Sequence, residues 1–229
     1  MSKCADNEIL KAMKAFRRHT EIQSSSCGAL CRLAVNDGNQ VALMSKGAED
    51  AILKAVQSFP LHAELQSYSC RALYGLAYNN AESVIILMCK GADGEILNVM
   101  RKFRGNVEIQ KFAIGALCNL AVNADNQVSL MSKGAGDEIL EAMKAYPVHT
   151  ELQEYACGAL WNLAVNADNK MTLMSKGADD EILKAMKAFP LHAEIQSYSC
   201  GALCNVAVNA DNQVSLMSKS TDNEILKAM

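Results

Sequence analysis

Residues 121–133 read AVNADNQVSLMSK, and residues 207–219 repeat these letters without a change. The mark Met-Ser-Lys, once Met-Cys-Lys, begins at residues 1, 44, 88, 131, 174 and 217, so the intervals are 43, 44, 43, 43 and 43. A fixed period of this length is typical of stacked repeats, in which each unit packs on its neighbours. We therefore expect one repeat array over residues 1–229 rather than one or two globular domains.

Two helices are predicted in the first half of the last complete repeat. The first covers residues 168–176, with Asp168 as its expected N-cap and Gly177 free to adopt a positive φ after it. The second covers residues 179–189, where apolar residues recur at helical spacing until Pro190 forbids continuation.

A third and longer helix is predicted over residues 193–208, along a stripe of small and apolar side chains. Asn209 is expected to close it, since asparagine tolerates the left-handed conformation. No window alternates polar and apolar residues as a half-buried strand does, so the chain is predicted to be all-α.

Two motifs of the chain resemble the armadillo repeat. Gly177-Ala178 followed by Ile182-Leu183 resembles that family's Gly-Gly-Ile-x-x-Leu-Val, and QEYACGALWNLA at 153–164 resembles its Q-x-x-A-x-x-A-L-x-N-L-A. The resemblance covers essentially the whole chain and implies a right-handed armadillo-type α-solenoid of three-helix repeats. The two-helix HEAT repeat is the main alternative, and it leaves residues 168–176 unexplained.

The repeat boundaries follow from the same alignment. We predict a half repeat, four full repeats and a second half repeat, covering residues 1–36, 37–79, 80–123, 124–166, 167–209 and 210–229. The last predicted helix keeps the apolar Ile225, Leu226 and Met229, which nothing later in the sequence covers. We expect either a piece of a longer array or an end that packs on another molecule.

Charge and hydropathy exclude several classes of function. The net charge is −3 with both signs scattered, which argues against a nucleic-acid binder. The apolar run 84–88 is too short to cross a bilayer, and the N-terminus opens with polar residues, so we expect neither membrane insertion nor a signal peptide. No phosphate loop or catalytic grouping stands outside the repeat pattern, so an enzyme is not expected.

The nine cysteines predict packed thiols rather than disulfides. Seven of them fall at two repeat positions, which are Cys27, Cys70, Cys157 and Cys200, then Cys31, Cys118 and Cys204. Equivalent residues in stacked helices lie roughly 10 Å apart, whereas a disulfide needs Cα atoms within about 7 Å. We expect all nine to be reduced, with Cys70, Cys157 and Cys200 largely buried, and a reducing compartment, the cytosol or the nucleus.

The resemblance also implies where partners bind. Armadillo proteins mostly bind a protein or an extended peptide along the concave surface of their third helices, where a ladder of asparagines contacts the peptide main chain. The matching positions form three rows: Arg32, Gly75, Asn119, Asn162 and Asn205; Asn36, Asn79, Asn123, Asn166 and Asn209; Gly28, Arg71, Gly115, Gly158 and Gly201. A spacing of four residues places these rows on one helix face.

Eight residues are the candidate partner-binding site, namely Arg32, Arg71, Asn119, Asn162, Asn205, Asn123, Asn166 and Trp161. Importin alpha-type receptors carry tryptophan in the row that is glycine or arginine here, so binding of nuclear localisation signals is not expected. At the ends of the third helices, caps are favoured over ligand contacts. For the mid-helix asparagines both roles stay open, and Asn162→Ala is expected to weaken peptide binding by about 1–3 kcal/mol.

Two further residue types recur on or before the third helix. The four histidines, His19, His62, His149 and His192, precede it, and neighbours roughly 10 Å apart cannot share a metal ion, so a turn or capping role is favoured. The aromatics Tyr68, Phe112, Tyr155 and Tyr198 are expected to be partly packed. We expect no metal and no cofactor.

Three functions remain open from the sequence. The first is a protein-interaction scaffold that binds a peptide or protein along the third helices. The second is end-to-end assembly through the uncapped terminal helices. The third is RNA binding by a helical repeat, for which only Arg32 and Arg71 supply positive charge on the expected face.

Overall fold

The computed structural model describes residues 5–208 and 210–218, and in these ranges the chain forms fifteen α-helices and no β-strand. The predicted all-α, three-helix repeat is confirmed. Four residues that carried sequence predictions, Asn209, Ile225, Leu226 and Met229, lie outside the described residues, and so does Cys4. End-to-end docking through the last helix therefore stays a prediction.

Each complete repeat contributes a short first helix, a second helix and a longer third helix. The opening half repeat holds α1 (Ala5–Ala15) and α2 (Thr20–Leu33). The complete repeats hold α3 (Asp37–Ser45), α4 (Ala48–Ser58) and α5 (Ala63–Ala77); α6 (Ala81–Cys89), α7 (Ala92–Lys102) and α8 (Val107–Leu120); α9 (Ala124–Ser132), α10 (Ala135–Ala145) and α11 (Thr150–Leu163); α12 (Ala167–Ser175), α13 (Ala178–Ala188) and α14 (Ala193–Val206). The helix α15 (Ala210–Ser218) follows.

The helices group into two compact units, Met1–Leu120 and Ala121–Met229. In the first unit the third helices pack in series, α2 on α5 and α5 on α8, and α1 packs beside α4. In the second unit α11 packs on α14, and α10 contacts α13. The single array over residues 1–229 stays a prediction.

A left-handed glycine separates the first helix from the second, as the sequence predicts at Gly177. Its φ is 77°, and the equivalent Gly47 has a φ of 76°. A residue with a Cβ is strained in this conformation, so glycine permits the tight turn. Asn79 also has a positive φ, 49°, beside the extra residue that makes one interval 44.

The prediction that Asp168 caps the first helix of its repeat is wrong. The N-cap is Asn166, whose Oδ1 accepts hydrogen bonds from the backbone N–H groups of Asp168 at 3.0 Å and Asn169 at 3.2 Å. Asp168 instead lies in the first turn of α12, where its charge suits the helix dipole. Both residue types are good caps, so the sequence alone does not decide between them.

The capping role of the histidines is confirmed. The Nδ1 atoms of His62 and His149 accept hydrogen bonds from the backbone N–H groups of Leu65 at 3.2 Å and Leu152 at 3.3 Å. Asn106 takes the same place before α8, where its Oδ1 accepts from Ile109 N at 3.2 Å.

We expect His62→Ala to lower the free energy of unfolding by about 0.5–2 kcal/mol, the usual cost of a lost N-cap. His62→Asn is expected to keep most of the stability, because Asn106 already caps α8 in this way. Urea denaturation of the two variants checks this. An equal loss of unfolding free energy in His62→Ala and His62→Asn would show that the imidazole stabilises the protein through packing and not as a hydrogen-bond acceptor.

A glutamine near the start of each third helix holds the end of the second helix. Gln66 is fully buried, and its Nε2 donates to Val56 O at 3.0 Å and Phe59 O at 2.9 Å. In a continuing helix the carbonyl of Val56 would accept from residue 60, but that residue is Pro60, which has no N–H. The amide of Gln66 therefore replaces the donor that proline removes.

The same bonds recur in the other repeats, with or without proline: where arginine stands at the proline position, Gln23 donates to Met13 O and Gln110 donates to Met100 O, both at 2.8 Å. Gln153 donates to Met143 O at 2.9 Å, four residues before Pro147, and Gln196 donates to Met186 O at 2.9 Å, four residues before Pro190. The glutamine therefore holds the end of the second helix in each of these repeats, and at the three prolines of the chain it also supplies the donor that proline lacks.

Cysteine burial follows the prediction with one correction. Cys70 and Cys157 are buried, but Cys200 is only half-buried, because no third helix packs beyond α14 within the described residues. The eight cysteines among the described residues are free thiols. Burial raises the pKa of Cys70 to about 12 and that of Cys157 to about 11.

We expect the protein to lose stability as the pH rises above about 8.5, the ordinary pKa of a thiol. Between that value and the raised pKa of Cys70, the unfolded chain releases a proton that the folded chain retains, so unfolding is favoured. Each such thiol contributes a slope of up to about 1.4 kcal/mol per pH unit. The free energy of unfolding, measured by urea titration, should fall less between about pH 8 and about pH 10 in Cys70→Ala than in Cys89→Ala, whose thiol is exposed. Parallel losses in the two variants would contradict this account.

Candidate functional site

The third helices of the first unit present a face of arginine, aromatic and amide side chains. Arg32 on α2 and Arg71 on α5 are exposed, while Tyr74 on α5, Phe112 on α8 and Asn119 on α8 are half-buried. Because α5 packs between α2 and α8, these side chains lie on adjacent helices. We call Arg71, Tyr74, Tyr78, Phe112 and Asn119 the α5–α8 cluster.

Ring contacts hold the cluster together. The ring centroid of Tyr74 lies 6.2 Å from that of Phe112 and 6.3 Å from that of Tyr78, within or near the range of favourable aromatic pairs. The guanidinium of Arg71 lies over the Phe112 ring at 5.0 Å, and the Lys111 ammonium lies 4.6 Å from the same ring. Both distances are within the range of cation–π attraction. The arginine in this otherwise glycine-rich row is thereby fixed over an aromatic of the next repeat.

Asn119 links neighbouring third helices. Its Nδ2 donates to the backbone oxygen of Tyr74 at 3.0 Å. An amide carries two N–H donors and an acceptor oxygen, so this bond engages one of three groups. Of the two roles left open for the mid-helix asparagines, Asn119 therefore has at least the structural one, as a link between neighbouring repeats.

The second unit repeats this arrangement. Asn205 Nδ2 donates to Trp161 O at 3.1 Å, and the Trp161 ring lies 5.8 Å from that of Tyr198. Trp161 remains 38% exposed. A Cβ added at Gly201 would lie 2.9 Å from the indole, so glycine at that position leaves room for the ring.

Cysteine alternates with an aromatic residue at one position of the third helices. We call the first of the three rows, which contains Asn119, Asn162 and Asn205, the ladder. The residues directly before its five members are, in order, Cys31, Tyr74, Cys118, Trp161 and Cys204. At both aromatic positions the backbone oxygen accepts from the ladder asparagine of the next repeat. The sequence analysis singled out Trp161 and missed Tyr74, although the alternation is visible in the sequence.

The other candidate residues have defined places. Asn123 and Asn166 have a capping role, but they are the N-caps of the following helices α9 and α12 and do not close the third helices as was expected. Before α6 the N-cap is Asn80 and not Asn79. Asn162 is half-buried on α11. The partial packing predicted for the recurrent aromatics is confirmed, since Tyr68, Phe112, Tyr155 and Tyr198 are all half-buried.

Two absences concern the described ranges alone. There, no three or more His, Cys, Asp or Glu side chains lie close enough together to hold a metal ion. Over residues 5–208 and 210–218, no helix is both long and apolar enough to cross a membrane.

A family model described as "LRRK2 ARM repeat" matches residues 48–177, more than half of the chain. The chain belongs to the armadillo-repeat family. This agrees with the three-helix unit, the left-handed glycine and the third-helix motif described above.

Two solved structures support the armadillo-type α-solenoid. Both are described as engineered proteins and come from the Northeast Structural Genomics Consortium. One matches with a TM-score of 0.77 and 21% identity over 96% of this chain and 93% of its own. The other matches with a TM-score of 0.76 and 20% identity over 96% of this chain and 51% of its own. At this identity the similarity shows a shared fold alone. No curated protein matches the chain.

Proposed function

We propose that this protein is a non-catalytic interaction scaffold whose third-helix face binds an extended segment of a partner protein. The α5–α8 cluster is the observation that carries the proposal. It brings together the side-chain types that dominate binding energy at protein interfaces, tyrosine and arginine, with an amide that can contact a main chain.

The cluster is pre-arranged for binding. Tyr78 is 44% exposed, and Tyr74 and Phe112 lie half-exposed beside it. Because Arg71 and Lys111 both lie over Phe112, the ring has few alternative positions. A partner that covers these rings buries apolar area and loses little side-chain entropy on the scaffold side.

Asn119 favours an extended partner segment. One N–H of its amide holds Tyr74 O, which leaves an N–H donor and the Oδ1 acceptor for a ligand. An extended peptide presents unpaired main-chain N–H and C=O groups, whereas a helix has already satisfied its own. The bond to Tyr74 also fixes the direction in which the amide points.

We expect Asn119→Ala to weaken peptide binding by about 1–3 kcal/mol, because a peptide main-chain group loses its partner. The probe is a peptide selected from a random linear library on the wild-type protein, with its Kd measured by fluorescence anisotropy. Asn98→Ala is the matched control, since Asn98 is an exposed asparagine on the second helix α7 of the same unit. Thermal melts of both variants separate lost binding from lost folding.

Three results would contradict the proposal. The first is equal affinity in the Asn119→Ala and Asn98→Ala proteins. The second is an unchanged affinity of the selected peptide for the Tyr74→Ala protein, which would show that the peptide does not bind at the third-helix face. The third is tight, strongly salt-dependent binding of single-stranded RNA that Tyr74→Ala abolishes, which would favour the RNA-binding alternative.

We propose the cytosol or nucleus as the compartment. Eight free thiols among the described residues support this, because such thiols persist in a reducing environment.

A further inference from the structure

We propose that the groove between α1 and α4 is a second binding site, which takes an acidic amphipathic helix of a partner protein. The groove has a volume of about 820 Å³ and lies between two second helices of the first unit. None of its lining residues belongs to the α5–α8 cluster. The inference therefore goes beyond the third-helix site.

The lining of the groove is strongly cationic in a chain whose net charge is −3. Five basic side chains line it against one carboxylate, Asp50; they are Lys11, Lys14, Arg17, Lys46 and Lys54. Asp50 is already paired, since its Oδ1 lies 2.8 Å from Lys90 Nζ. The groove thus presents positive charge to any ligand that enters it.

Only part of this charge is neutralised by the protein itself. Lys11 pairs with Glu8 at 2.7 Å, and Lys46 pairs with Asp6 at 2.6 Å. Lys14, Arg17 and Lys54 form no ion pair over residues 5–208 and 210–218. Lys14 on α1, Arg17 in the turn after α1 and Lys54 on α4 flank the groove from both sides.

The equivalent helices of the second unit, α10 and α13, differ in this respect. Lys144 stands at the repeat position of Lys14 but pairs with Glu141 at 3.1 Å. Lys184 stands at the position of Lys54 but pairs with Glu181 at 2.8 Å. The unneutralised charge is therefore a property of the α1–α4 groove and not of every pair of second helices.

The floor of the groove is apolar and recessed. Leu10 and Met13 line it from α1, and Ala51 and Ala55 line it from α4. The two alanines are four residues apart, so they stand on one face of α4 and leave space above it. An apolar floor with a cationic rim is complementary to a helix that is apolar on one face and acidic along its flanks.

The shape favours a helix over the other acidic ligands. The backbone groups of α1 and α4 are bonded within their helices, so an extended segment would find no main-chain partners here, whereas a helical ligand needs none. α1 has 11 residues, so the groove accommodates about three turns of ligand helix, or about 16 Å. A flat anionic membrane would contact the rim but not the recessed floor.

The test uses a labelled helical peptide of about three turns, with leucine on one face and glutamate on its flanks, and fluorescence anisotropy at low salt. The same peptide with glutamine in place of glutamate is expected to bind at least about tenfold more weakly. Raising the salt from about 0.05 M to about 0.3 M should weaken only the glutamate peptide.

Charge reversal in the protein locates the site. K14E/K54E is expected to weaken binding of the glutamate peptide at least about tenfold, whereas K144E/K184E changes it by no more than about twofold. A peptide with lysine in place of glutamate should bind K14E/K54E more tightly than it binds the wild type. Circular dichroism confirms folding, and if K14E/K54E unfolds, the comparison of glutamate and glutamine peptides on the wild type decides.

Several outcomes would overturn the proposal. They are no binding of the glutamate peptide to the wild type, equal binding of the glutamine peptide, and equal losses in the two double variants. Cosedimentation with phosphatidylserine vesicles that K14E/K54E abolishes, without peptide binding, would assign the groove to a membrane surface instead. Because Asn119 and Tyr74 lie outside the groove, a failure here leaves the third-helix site untouched, and Asn119→Ala should not change binding of the glutamate peptide.

Discussion

Leu160→Ala is expected to lower the free energy of unfolding by about 2–5 kcal/mol, the usual range for truncating a core leucine. Leu160 lies in the middle of α11 and is 1% exposed. The leucines at the equivalent positions of the other repeats, Leu30, Leu73, Leu117 and Leu203, are as fully buried. A close-packed site of this kind collapses little when a side chain is removed, so a cavity remains.

Leu191→Ala is the matched control for this change. Leu191 is 97% exposed in the turn before α14, so the same atoms are removed with almost no loss of burial. Trp161 is the single tryptophan of the chain and directly follows Leu160, so its fluorescence during urea denaturation reports unfolding of the second unit. Equal midpoints for the two variants would show that the third-helix stripe is not the core.

Gln66→Met is expected to cost about 1–3 kcal/mol, because it leaves a buried backbone carbonyl without a donor. Methionine has a similar length and flexibility, so the change removes the amide while it largely fills the same space. The carbonyl of Val56 then has neither the glutamine nor a backbone N–H from Pro60. The second helix α4 should fray at its C-terminal end.

Gln57→Met serves as the control. Gln57 is exposed on α4, and its Nε2 bonds only Glu95 Oε1 on the neighbouring helix, at 2.8 Å. We expect its unfolding free energy to stay within about 0.5 kcal/mol of the wild type. Circular dichroism in urea compares the two variants. A small effect at Gln66 would mean that water satisfies Val56 O.

Most of the fold could be predicted from the sequence, because its determinants are local. Gly177 and Pro190 mark helix ends through backbone conformation alone, and the helices found between them agree with the predicted spans to within a few residues. Asp168 shows the limit of this reasoning. It was predicted as a cap, but Asn166 two residues earlier takes that role, and helix boundaries are uncertain by this amount.

The candidate site was less predictable, because its contacts join different repeats. The ladder position of Asn119 is clear from the motif, but its bond to Tyr74 O depends on the offset between α5 and α8. The role of Gln66 could have been inferred, since each proline stands four residues after the carbonyl that needs a donor. The cationic α1–α4 groove depends on which lysines are paired, and the sequence shows the charges but not the pairing.

Site-specific photocrosslinking tests the proposed third-helix site most directly. A photoreactive phenylalanine analogue replaces Tyr78 on the α5–α8 cluster or, as a control, Phe16 at the end of α1. Both are exposed aromatic residues of the first unit, 44% and 52% exposed. We predict that the selected linear peptide crosslinks to the protein labelled at position 78 and not to the one labelled at position 16. Crosslinking at position 16 alone, or at neither position while the peptide still binds, would contradict the assignment of partner binding to the third-helix face.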